Sequence, residues 1–192
     1  MIYIGPTVKL GSSRKVRQFS IDTQIMIDRL AEPVPDLIQE KRGRLAFPSV
    51  YEKERLVRIG IQTSLDLALA TNQELYNIFG HRLVALRRLH DRKLGFSANH
   101  AASLFGLLTK NCSNTGFITH VFNGLSAKGI TRLFQVVQKS EEYLVRIIYR
   151  TTAKQDRSGV RENLHGVVTE LGLGFQMKLP EGFVGSLQER SW

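Results

Sequence analysis

A single cysteine, Cys112, leaves this chain no partner for an intrachain disulfide. The five histidines at 81, 90, 100, 120 and 165 fall at no spacing that reads as a zinc site. No GxxxxGK[ST], GxSxG, HExxH or GxGxxG pattern occurs, so the common phosphate, nucleophile, zinc and dinucleotide signatures are missing. No run approaches the roughly 20 apolar residues of a membrane helix. The opening MIYIGPTVKLGSSRKVRQ turns basic where a signal peptide would keep an apolar stretch. These absences predict a cytoplasmic protein with no metal, no cofactor and no membrane partner.

Catalytic candidates are few. Glu141 and Glu142 are adjacent on a predicted helix and point about 100 degrees apart, so they cannot readily share a substrate. Cys112 and His120 could be imagined as a thiol pair, but KNCSNTG reads as a polar turn. The expectation is a protein that is not an enzyme.

What is present is apolar residue and positive charge. Hydrophobic residues make up 42% of the 192, enough to bury a core. The formal net charge is +10, which gives a long-range attraction to polyanions. The charge is blocked: 11 basic against 7 acidic residues over 1–58, six against one over 81–110, and eight against three over 127–161. Neutral or acidic apolar stretches separate them. That is the pattern of a helical body presenting several basic patches.

Periodicity reads as mostly helical. Asp22 or Thr23 can cap a helix carrying Ile25, Met26, Ile27 and Leu30, which must stop before Pro33-Val34-Pro35. Residues 36–46 are weakly helical. Phe47-Pro48-Ser49 resembles a staple and cap for a helix from Val50, with Leu56, Ile59 and Val57 inward. Further helices are expected over 63–79, 81–94, 97–109, 117–123, 127–139, 142–151 and 160–171, and the Gly-rich end reads as irregular tail or weak hairpin. This divides the chain into an N-terminal region over 1–60, a helical body over 61–155 and a tail over 156–192.

Residues 95–110, GFSANHAASLFGLLTK, align without a gap with 124–139, GLSAKGITRLFQVVQK, and a fainter copy begins at Gly60-Ile61. Two good copies are too few for a solenoid, so this reads as a recurring way to start a helix.

The best strand is 15–21, KVRQFSI, with Phe19 and Ile21 on one face and Gln18 and Ser20 on the other. A lone strand leaves its backbone groups unpaired, and pairing with a second copy of the chain would complete them. A two-stranded ribbon fits the major groove, where Gln reads adenine and Arg14, Lys15 and Arg17 could reach guanine or phosphate. On these residues, RQFSIDTQIMIDRLA resembles the strand and first helix of ribbon-helix-helix regulators of the Arc and MetJ class, with Ile27 and Leu30 six and nine positions after Ile21. The resemblance implies a homodimer with an intertwined core that binds double-stranded DNA through its sheet, with Gln18 and Ser20 reading bases. It also implies a second helix whose capped start holds a phosphate, for which Pro48-Ser49-Val50-Tyr51 is a counterpart, placing Ser49 and Tyr51 in the interface. Regulators of this kind are common on plasmids and in conjugation; the partners expected for this chain are double-stranded DNA, a second copy of itself, and another regulator or RNA polymerase.

The expected fold is therefore mainly α, with a short N-terminal β-strand paired across a dimer and an α-helical C-terminal body. The expected function is a sequence-specific transcriptional regulator. Two alternatives stay open. Residues 117–134 resemble a helix-turn-helix, with Gly124-Leu125-Ser126 at the turn and Ile130, Arg132 and Leu133 beyond it. Alternatively, the basic helices around Arg82, Arg87, Arg88 and Arg92 dock an acidic protein and touch no DNA.

Overall fold

The computed structural model describes residues 23–34, 40–42 and 45–189. The expected strand at 15–21, with Arg14, Lys15, Arg17, Gln18 and Ser20, lies outside them. In chain order the elements are α1 (Thr23–Ala31), β1 (Glu40–Arg42), β2 (Leu45–Phe47), α2 (Val50–Arg58), α3 (Ser64–Leu69), α4 (Asn72–Phe79), α5 (Leu83–Leu94), α6 (Ala98–Leu108), α7 (Thr119–Ser126), α8 (Leu133–Val137), α9 (Glu141–Thr151), α10 (Val160–Glu170) and α11 (Glu181–Glu189). Among the described residues, no helix is long and apolar enough to cross a membrane.

The mainly helical expectation holds and the ribbon is corrected. Among the described residues, the β-structure is a short intrachain hairpin, Glu40 opposite Phe47 and Arg42 opposite Leu45, placed after the first helix, with isolated bridges elsewhere. In a ribbon-helix-helix dimer the apolar side of α1 would face the second subunit. Here Ile27 and Leu30 are 0% exposed within one chain, so the seam that a partner would fill is already filled. Where the sequence suggests one helix over 63–79, two occur, because Thr71 caps a new start. The tail holds α11, whose Phe183 and Leu187 are buried.

The chain forms two compact units: residues 26–105 with 180–189 (the N unit), and residues 106–179 with 23–25 (the C unit). The N unit is built on reciprocal caps. Ser49, Thr63 and Thr71 each accept the N3 amide of the following helix, and Glu52, Asp66 and Glu74 each take back the N-cap amide. Such a box satisfies two otherwise orphan donors at each start. Behind the caps, Leu56, Leu65, Leu67, Leu75, Leu86 and Leu94 are all 0% exposed. In the C unit Leu125, Leu133, Val136, Leu144, Ile148 and Leu164 are likewise 0% exposed.

The two units repeat one design. The starts of α2 and α7, of α3 and α8, and of α4 and α9 are 50 and 119, 64 and 133, and 72 and 141, each pair 69 positions apart. Turn bonds repeat with them. Ile61 N–H donates to Leu56 O at 3.0 Å and Ile130 N–H to Leu125 O at 3.1 Å, across Gly60 (φ 82°) and Gly129 (φ 71°). That left-handed residue closes the helix and turns the buried isoleucine inward. Thr63 bridges to Pro33 and Arg132 to Asn111. Ser64 N–H donates to Glu32 O at 2.9 Å, and Leu133 N–H to Lys110 O at 3.1 Å. Where Asp66 Oδ2 takes the Thr63 amide at 2.9 Å, Gln135 Oε1 takes the Arg132 amide at 3.0 Å. The stronger sequence echo, 95–110 with 124–139, is not structural: Gly95 ends α5, whereas Gly124 lies within α7.

Candidate nucleic-acid interface

In the N unit, α5 carries a basic outer stripe. Val84, Arg88 and Arg92 recur at four-residue spacing, so they share one face, and all three are exposed. Val84 is 58% exposed, although its place in the apolar pattern predicts burial. Arg87 does something else. Its guanidinium donates to Leu67 O at 2.7 Å and Ala70 O at 2.6 Å, tying α5 to the end of α3. Burial pulls its pKa below the usual guanidinium range and Asp91 partly offsets that. It lines a polar cleft of about 390 Å³ with Asn72, Asp91, Ser97 and Asn99. Of the two predicted arginines, Arg88 is available to a ligand and Arg87 is a tie within the fold.

Ser49 is likewise engaged internally. Its N–H and hydroxyl both donate to Glu52 Oε2 at 2.8 Å, and the other oxygen of that carboxylate takes the Arg82 guanidinium. A buried carboxylate therefore occupies the helix start where a phosphate was expected, and an incoming anion would meet like charge. Tyr51 is 63% exposed. The Arg55 guanidinium sits 5.8 Å from its ring centroid and also donates to Asn77 O of α4 at 3.1 Å. Tyr76, 48% exposed, meets the His81 ring edge-on at 6.1 Å.

In the C unit the exposed basic stripe lies on α9: Tyr143, Arg146 and Arg150, at i, i+3 and i+7. The predicted recognition helix of the helix-turn-helix alternative is only Leu133–Val137, and Leu133, Phe134, Val136 and Val137 are buried. Arg132 is half-buried and donates to Thr109 O at 2.9 Å. Little of that element is left to enter a groove. Glu141 is held by Arg161 and His165, each at 3.0 Å, so it is spent on α10. Cys112 is 0% exposed, and burial pushes its thiol up to about 12, which removes the thiolate a nucleophile needs.

Sequence reasoning missed Arg55, Tyr76, Tyr143, Arg146 and Arg150. For the α9 set a signal existed in the i, i+3, i+7 spacing. For Arg55 and Tyr76 none did, since two helices must pack before they share a surface. Comparisons of the chain with protein-family models, curated proteins and solved structures find no match.

Proposed function

We propose that this protein binds DNA through the outer faces of its helices, as a basic regulatory protein that uses no ribbon. The observation that carries the reading is the pair of exposed arginine stripes, Arg88 and Arg92 on α5 and Arg146 and Arg150 on α9. They lie within two of the three basic blocks of a chain whose net charge is +10. Arginine on an exposed helix face suits phosphate, because its planar fork donates to two oxygens at once. Phosphate contacts set affinity and register without reading sequence, so this reading predicts broad affinity for duplexes.

The stripes sit on helices that are not counterparts in the two units. In the C unit the helix after the capped pair, α10, carries the exposed acids Glu162 and Glu170, whereas α5 in the N unit is basic. A duplicated fold with redistributed charge is consistent with each copy meeting the polyanion in its own way.

The test is a gel shift with a random duplex of about 30 base pairs. Reversing Arg88 and Arg92 to Glu, or Arg146 and Arg150 to Glu, is expected to weaken binding about ten-fold or more for either pair. Full affinity in both variants would defeat the reading.

A further inference from the structure

Two exposed tyrosines on the N unit lie beside planar or aromatic side chains that the fold holds in place. Arg55 covers part of Tyr51 and reaches across to the α4 backbone at Asn77, while the neighbouring Tyr76 is braced by His81. Arg55 thus links the Tyr51 ring on α2 to the α4 backbone one residue past Tyr76, whose ring meets that of His81. Arg58, three positions after Arg55 and seven after Tyr51, adds an exposed cation to the same side of α2, whereas the Arg82 guanidinium is held by Glu52. Of the acids on these two helices, Glu52 is buried and held by Ser49 and Arg82, and Glu74 is turned into the Thr71 cap, which leaves Glu54 as the exposed acid of α2.

The C unit acts as an internal control on whether the fold requires these residues. At the positions 69 later, Tyr51 is matched by His120, Arg55 by Gly124 and Tyr76 by Val145. Gly124 packs so closely on α9 that a Cβ there would lie 3.0 Å from Ile148 Cα, and Val145 is 6% exposed. The same architecture therefore closes this face in one copy and leaves it open, aromatic and basic in the other. Packing does not account for Tyr51 and Tyr76 standing in solvent.

We infer that the Tyr51–Arg55–Tyr76–His81 face is a stacking platform for the unpaired bases of single-stranded DNA. Every base offers a π-face to a ring, and the exposed Arg58 beside Arg55 suits the phosphates that run beside the bases. Duplex DNA cannot use the rings, because its bases are stacked on one another. The inference rests on the DNA-binding reading above and names a second form of the polymer for this face.

The experiment uses the full chain with a labelled oligo(dT) of about 20 nucleotides and, in parallel, a random duplex, read by fluorescence anisotropy. Tyr51→Ala and Tyr76→Ala should each weaken oligo(dT) binding about five-fold or more, with duplex binding unchanged within about two-fold. Tyr51→Phe and Tyr76→Phe should keep wild-type affinity, since the ring and not the hydroxyl does the stacking. The inference is overturned if the alanine variants hold oligo(dT) as tightly as wild type, or if the phenylalanine variants lose as much as the alanine ones. It is equally overturned if sedimentation shows a dimer that Tyr51→Ala dissociates, because the face would then belong to a second copy. Duplex binding with no effect of the tyrosines removes this inference alone, whereas failure of both DNA forms to bind removes the underlying reading as well.

Discussion

His90 on α5 is 0% exposed, and among the described residues neither of its ring nitrogens makes a well-formed hydrogen bond. Burial, reinforced by the Arg87 charge and partly offset by the Ser64 backbone, holds its pKa down to about 4, against about 6.5 for an unburied imidazole. The unfolded chain therefore takes up a proton below about pH 6.5 that the folded chain refuses until about pH 4. Stability is lost across that window as pH falls and levels off below it, by about 3 kcal/mol in all. Denaturant titrations from pH 7 to pH 4 should show this loss. His90→Leu, close in volume and unable to charge, should flatten that component, and an unchanged slope would remove His90 as its source. No sequence pattern marks this residue as different from His100 or His165. Its burial is legible only in hindsight, from its place beside Leu86, Leu89 and Leu94 on the inner face of α5.

At the scale of the element, the caps and one close helix contact decide where helices begin and how tightly they pack. Thr63→Ala removes a hydroxyl that accepts the Asp66 amide at 3.2 Å, and should cost about 1 kcal/mol in chemical denaturation. Gly124→Ala should cost about 1–3 kcal/mol, since the added methyl would lie 3.0 Å from the Ile148 Cα of the α9 backbone and 3.0 Å from Thr151 Oγ1 as well. The equivalent substitution at the exposed Gly106, where no atom lies within 4 Å of the added carbon, should be tolerated. Much of this scale was legible. The Ser49 cap of α2 and the positions of α1, α5, α6, α7, α9 and α10 follow from spacing and turn residues. Three features were not. The strand-like 15–21 segment drew the reading toward a dimer, whereas Ile27 and Leu30 find their cover inside one chain. Val57, Ile59 and Val84 are 44%, 50% and 58% exposed despite apolar side chains, because periodicity marks what can be buried and not what a neighbouring helix reaches. The tail helix depends on Phe183 and Leu187 meeting a core that no local window contains.

Across the whole molecule, a duplicated helical design has kept its backbone bonds and changed its surface. The duplication was hard to see because the positions it preserves are a glycine, an isoleucine and a few hydrogen-bonding roles. Asp66 and Gln135 perform the same role with different chemistry, and Thr63 and Arg132 share a bridge without sharing a side chain. Charge, by contrast, was legible as blocks, although not as faces: Arg87 and Arg88 are adjacent in sequence, yet one ties α5 to α3 and the other faces solvent. The most direct measurement is the salt dependence of binding to a random duplex, for wild type and for Arg88→Ser and Arg146→Ser. The account predicts a linear fall of log affinity with log salt at about −0.9 per neutralised phosphate, shallower by about one such step in each variant. An affinity that ignores salt, or variants whose slopes match wild type, would contradict it.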